Sequence, residues 1–429
     1  MIKPTRAAAA ALLACAVALP LTALPASAAT PAAPAVTPAS AFHSSDALTS
    51  PGALSALASP GTSGAPAALS GPSSRAASVP LELPAPTGKF GVGGTTLPLV
   101  DRSRPDPWVP AADGRELMVT LHYPAARRAS GGPAPYATEE EARLLLQGVG
   151  VTDPGSVRAL AGMGTYTATD ARPAPGRHPL VVLSPGFGVP RFTLTHLAVD
   201  LASRGYVVAS VDHAYETSGT AVPGGRILTC VACTALEEGR AKGSDVTAAR
   251  AADVRFVLDR LTGPRPAWRY AARAIDRSRV GMAGHSIGGA SAATAMAADR
   301  RIDAGVNMDG TFWDALPADG LGGRPFLFLG TDEFHRPGGE DTSWDATWRA
   351  LGGWKRWLTV SGSDHFSFSD GPVIQHHFGL PAGPIPAGRA LGVTRAYLAA
   401  FFDEHLRGRP QALLTGPSPE HPEVTFQQP

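Results

Sequence analysis

The run Val280 to Ala283 reads as a buried strand. It passes through Gly284-His285-Ser286-Ile287-Gly288-Gly289 into an alanine-rich stretch with helical character, from about Ile287 to Ala298. A strand that turns sharply into a helix confines the chain to a small set of architectures, because the helix must lie back across the sheet that the strand belongs to. Glycines at 284 and 288 suit such a turn, where strand and helix backbones come close and a Cβ would clash. With 48 glycines among 429 residues the Gly-x-Ser-x-Gly spacing alone means little; its place between a strand and a helix is what marks Ser286 as a candidate nucleophile at an elbow.

The rest of the chain repeats the alternation. Strands are expected at Glu116 to Pro124, His178 to Gly186, Tyr206 to Asp212, Ala304 to Asp309, Pro325 to Gly330 and Arg356 to Gly362. Helices are expected at Leu194 to Gly205, at Ser244 to Leu261 with Ser244 as N-cap, at Ser343 to Leu351, and at Leu391 to Gly408. In the second of these, Val254, Val257, Leu258 and Leu261 share one face; in the last, Val393, Tyr397, Ala400 and Phe401 point inward. Strands alternating with helices give an α/β fold, a mostly parallel central sheet with helices on both faces. No internal repeat is visible.

The first 28 residues carry Lys3 and Arg6, an apolar run broken by Pro20, and the small-residue site Ala26-Ser27-Ala28. This is the layout of a secretory signal peptide cut after Ala28. Lipid attachment at Cys15 is the weaker reading, since an apolar run continues past the cysteine. Residues 29–88 are rich in Ala, Pro, Ser, Thr and Gly, a composition that cannot offset its own ordering entropy, and read as propeptide or disordered linker. Residues 89–410 then form one domain, and 411–429 a flexible tail. Cys230 and Cys233 lack the second pair that a zinc site needs, so in an exported protein they read as a small-loop disulfide or two free thiols. A net charge of +1 with mixed signs gives no sign of a nucleic-acid partner.

A serine hydroxyl needs a base, and the base needs a third group to fix its tautomer. In this fold class the chain order is serine, acid, histidine. His365, in the loop after a strand near the C-terminus, is the expected base. Two aspartates sit at strand ends, Asp309 and Asp332, and either suits the acid. The oxyanion hole requires two backbone N–H groups; Ile287 would give one, and Phe187, in the glycine-rich turn Ser184 to Gly188, the other. Segments 135–170 and 213–243 are where a lid over the site would be built.

The segments LSPGFGVPR, SVDHAYETSG, GHSIGG, GVNMDG and SGSDHFSFSD occur in an order and spacing that resemble bacterial α/β-hydrolases similar to platelet-activating factor acetylhydrolase, the lipoprotein-associated phospholipase A2 type. The resemblance covers Phe90 to Leu406. It implies a serine esterase with no metal or cofactor, cleaving short-chain acyl esters or phospholipid acyl groups through Ser286, Asp309 and His365, with Phe187 and Ile287 as oxyanion donors. It also favours Asp309 over Asp332 as the acid. A histidine frequent before the glycines of such turns is replaced here by Pro185. The partners implied are a small ester or lipid substrate, transient contact with lipid surfaces, and no second copy of the chain. A weaker resemblance, to lipases and cutinase-like polyester hydrolases, would move the acid to Asp332. A non-catalytic binding protein of the same fold is the remaining alternative.

Overall fold

The computed structural model describes residues 81–126 and 131–429. The signal peptide, Cys15 and most of the linker lie outside them. In chain order the elements are β1 (Gly91–Asp101), β2 (Arg115–Ala125), α1 (Glu139–Gly148), α2 (Pro154–Ala161), β3 (Thr167–Thr169), β4 (His178–Ser184), α3 (Thr195–Ser203), β5 (Val207–His213), β6 (Thr220–Val222), β7 (Arg226–Leu228) and α4 (Val231–Glu237). They continue with α5 (Gly243–Thr262), β8 (Ile275–His285), α6 (Ile287–Ala298), β9 (Ala304–Met308), β10 (Phe326–Thr331), α7 (Ser343–Ala350), β11 (Lys355–Val360), α8 (Gly371–Phe378), α9 (Ala387–Arg407) and β12 (Val424–Phe426).

Ten strands form one sheet in the order β12-β11-β10-β9-β8-β4-β5-β2-β1-β3, and β6 and β7 make a separate hairpin. Every neighbour pair from β5 to β11 is parallel. β2 is antiparallel to both β1 and β5, and β12 to β11. The central strands are apolar along their whole length because both faces are covered. Alternate residues of β4 serve the two cores: Leu180 and Val182 pack with α5, α6 and α7, while Val181 and Leu183 pack with α3 and α9. This is the α/β-hydrolase architecture, and it sets Ser286, Asp309 and His365 beyond the C-terminal ends of the parallel strands β8, β9 and β11, where such sheets place their sites.

Three expectations change. The domain starts before residue 89: Leu83 is buried, its N–H donates to the Gly164 carbonyl, and Thr87 donates to Asp200 through both N–H and hydroxyl. Residues 411–429 are no flexible tail. Leu414 and Val424 are buried against α9 and β11, and β12 pairs with Leu358 to Val360. The few apolar residues, scattered among prolines, gave no periodic signal, and the sheet edge supplies the ordering. Helix α5 begins with Gly243, not Ser244: Lys242 is its N-cap, and the Asp245 carboxylate accepts from the Lys242 N–H at 2.9 Å. Cys230 and Cys233 are joined as a disulfide at the start of α4.

The segments 135–170 and 213–243 meet. The buried carboxylate of Glu141 on α1 accepts from the Ala221 N–H of β6 at 3.0 Å, while α1 and α2 bury Leu146, Val157 and Leu160 together. Among the described residues no helix is long and apolar enough to cross a membrane.

Candidate active site

Ser286 stands between β8 and α6 with φ 56° and ψ −131°, a conformation that costs a non-glycine residue about 1–3 kcal/mol and persists only where the surroundings enforce it. They do so here. A Cβ on Gly284 would lie 2.1 Å from the Gly288 carbonyl carbon, and one on Gly288 would lie 2.1 Å from the Ser184 oxygen. Neither position admits a side chain. The Ser286 N–H donates to the Met308 carbonyl at 2.7 Å, which ties the turn to the end of β9 and brings it beside Asp309.

Asp309 and His365 are joined directly. His365 Nδ1 lies 2.6 Å from Asp309 Oδ2. Asp332, the other candidate acid, instead accepts from the Thr359 hydroxyl at 2.9 Å. The chain places Asp309 with φ 59°, again left-handed, and its other oxygen accepts from the Thr331 N–H and from His335 Nδ1, both at 2.7 Å. Burial works against ionisation of Asp309, yet the charge of His335, its hydrogen bond and that of His365 outweigh burial and hold the carboxyl far below the ordinary carboxylate range.

His285 flanks the base from below. Its Nε2 lies 2.7 Å from the His365 carbonyl oxygen, and the two rings are 4.6 Å apart. Burial and then the charge of His365 push the His285 imidazole down to about 3, so it is neutral and donates to that carbonyl.

The glycine-rich turn lies against the serine. A Cβ on Gly186 would approach the Ser286 Cβ to 3.4 Å. Gly188 is held on both sides, its N–H donating to the Glu216 carbonyl at 2.9 Å and its own carbonyl accepting from Ser218 at 2.7 Å. Below the turn lies a charge cluster that sequence reasoning missed. Arg250 Nη1 donates to the Pro185 carbonyl at 2.5 Å and Nε to Glu216 at 2.7 Å. Arg115 joins Glu216 to Asp253, and His213 spans Asp253 and the Ser184 hydroxyl. Arg115, Arg250, Glu216 and Asp253 are fully buried. A signal was present: Arg250 and Asp253 lie on the same helical face as Val246, Val254 and Val257, where a solvated charge would not be.

Two apolar linings border the site. Phe187 and Ile287 pack with Trp108, Trp313, Leu236 and Val246. On the other side, Leu145, Leu146, Val149, Val189, Phe366 and Ile374 enclose a recess of about 60 Å³. Val189 directly follows the glycine turn and Phe366 directly follows His365.

A family model for platelet-activating factor acetylhydrolase, isoform II, matches residues 157–222 and 264–408. A probable 1-alkyl-2-acetylglycerophosphocholine esterase of Arthroderma benhamiae is 30% identical over 386 residues, which cover 82% of this chain and 95% of that protein. The chain belongs to the platelet-activating factor acetylhydrolase family. The Canis lupus familiaris platelet-activating factor acetylhydrolase is 24% identical over 272 residues, covering 54% of this chain and 57% of that protein. A ferulic acid esterase from Streptomyces cinnamoneus superposes with a TM-score of 0.73 and 48% identity, over 82% of this chain and all of that one. The family membership and these esterase relatives make this chain a carboxylic ester hydrolase.

Proposed function

We propose that the chain is a secreted serine esterase working through Ser286, His365 and Asp309. The observation that carries this reading is the 2.6 Å contact of His365 Nδ1 with Asp309 beside a serine held in a strained elbow. With Nδ1–H donated to Asp309, Nε2 of His365 is free to accept the Ser286 proton as Oγ attacks the ester carbonyl carbon. Charge developing on the carbonyl oxygen is met by the N–H groups of Phe187 and Ile287; the latter belongs to the first turn of α6, where backbone donors have no partner within the helix. His365 then returns the proton to the departing alcohol. A water molecule, deprotonated by the same nitrogen, releases the acyl group from Ser286.

The recess between α1 and α8 favours a small acyl group. At about 60 Å³ it is far below the roughly 300–1,000 Å³ of sites that enclose large ligands. A feruloyl ester is the second reading, favoured by the identity to the ferulic acid esterase and by Trp108, Phe187 and Trp313 around Ile287. Turnover of acetyl and butyryl esters set against methyl ferulate separates the two. Export is supported by the leader of residues 1–28 and by the Cys230–Cys233 disulfide, a bond that persists in oxidising compartments.

The test of the catalytic reading is a fluorophosphonate probe followed by peptide mapping. The label is expected on the peptide carrying Ser286. An unlabelled active enzyme, or label on any other serine, overturns the assignment.

A further inference from the structure

Asp309 serves two histidines. His365 takes one oxygen, and His335, in the loop after β10, takes the other at 2.7 Å. The far nitrogen of His335, Nε2, faces the Asp341 carboxylate at 3.2 Å. An ionised carboxylate only accepts hydrogen bonds, so a ring with both nitrogens against carboxylates carries a proton on each and is a cation. The pocket is built to keep it charged. The imidazole lies over the indole of Trp344, with ring centroids 4.2 Å apart and planes 24° from parallel, and its backbone carbonyl accepts from Trp357 Nε1 at 2.6 Å. His335 is buried.

We infer that His335 is a positioning residue of the ester hydrolysis: a buried cation that fixes Asp309 by one oxygen and offsets part of its charge, limiting how tightly Asp309 holds a proton on His365. This rests on the reading of Asp309 and His365 as acid and base. A carboxylate paired with His365 alone would stabilise the protonated base in full, and the enzyme would lose its free base at a higher pH. Sharing Asp309 with a second cation moves that loss to lower pH while leaving the carboxylate geometry intact. Burial opposes the charge on His335, but Asp309 and then Asp341 outweigh it and raise the group from its ordinary value to about 9. His335 therefore stays charged throughout the range in which a histidine base titrates. The other titratable groups facing this pair are His285 beneath His365, held neutral, and Asp364 beside it in sequence, whose carboxylate is engaged by Gln375 and the Gly383 N–H.

The experiment is the pH profile of kcat/KM on a soluble short-chain ester for wild type, His335→Gln and Asp341→Asn, with thermal melts to establish folding. Glutamine keeps a donor for Asp309 but no charge, so the acid limb is expected to move up by about 0.5–1 pH unit with the high-pH plateau largely kept. Asp341→Asn leaves His335 charged through its contact with Asp309 and removes the carboxylate that offsets that charge, so the limb is expected to move down, by less. It decides alone if His335→Gln does not fold. A limb that stays in place in the folded variants, or moves opposite to these directions, overturns the proposal, since a residue that only filled space would leave the profile unshifted. If Asp309→Asn keeps wild-type kcat, the acid assignment fails and this inference falls with it. If Asp309→Asn is impaired and the limb is unmoved, the inference alone fails.

Discussion

Asp309→Asn is expected to lower kcat by about 10³–10⁴-fold, with KM and folding little changed, while Asp332→Asn stays close to wild type. The size follows from which way the new amide must point. Oδ1 of Asp309 accepts from both the Thr331 N–H and His335 Nδ1, and an amide NH₂ cannot accept from either. The asparagine carbonyl oxygen therefore takes that side, and its NH₂ is forced against His365 Nδ1. The imidazole then accepts at Nδ1 and keeps its proton on Nε2, the atom that must receive the Ser286 proton. The substitution fills the same space and installs the wrong tautomer. Asp332 has only the Thr359 hydroxyl to lose. Steady-state kinetics with a thermal melt of each variant decide the matter. Loss in Asp332→Asn with retention in Asp309→Asn would move the acid to the position typical of the cutinase-like enzymes.

Arg250→Met is expected to destabilise the protein by about 3–5 kcal/mol, because it strips a buried carboxylate of one of its cations. Glu216 would be left with Arg115 and the Trp108 indole, and the Pro185 carbonyl would lose the guanidinium that donates to it. A loss of that size is a large fraction of what holds any domain together. In the fraction that folds, kcat should fall more than KM changes, since Pro185 begins the turn that carries Phe187. Denaturant titration measures the first effect and initial rates the second; a change below about 1 kcal/mol would show that the cluster is not what secures the turn. The acid response follows the same groups. Burial raises Asp253 and Glu216, but Arg115 and His213 outweigh it for Asp253, and Arg250 and Arg115 for Glu216, so both titrate below their ordinary values. Their contribution is complete above the unfolded carboxylate range and is lost as pH falls through the lowered folded values. Without Arg250, Glu216 is less depressed, so its contribution should be smaller and its loss complete at a higher pH.

What could be read from the chain, and what could not, divides by distance. The strand-elbow-helix around Ser286 is legible because its three parts are contiguous and each has a local cause: buried β-branched residues, close-packing glycines, alanines free to lie on the sheet. His365 is legible for a similar reason, standing in a loop directly after β11. The choice between Asp309 and Asp332 was not fixed by local pattern. Both follow apolar strands, and only the left-handed turn at Asp309 and the return of the β11 loop decide which one meets the histidine. The role of His335 depends on Asp341 and Trp344, six and nine residues further along, folding back over it. The arginine cluster left a trace in α5, yet its partners come from β2, β5 and the loop after β5, so no window of sequence contains it.

The three residues of β12 have an effect out of proportion to their number. Without them β11 would end the sheet with a row of open N–H and C=O groups along Leu358 to Val360, an apolar template to which another chain could add. Residues 424–426 occupy that template, Gln427 completes it by donating to the Trp357 carbonyl at 2.8 Å, and its side chain donates to the Thr359 hydroxyl at 2.7 Å. The edge that remains is too short to recruit a neighbour. Trimming the protein after α9 for crystallisation or display would spare the active site and leave a molecule prone to self-association, so the stretch past Pro410 belongs to its colloidal behaviour as much as to its fold.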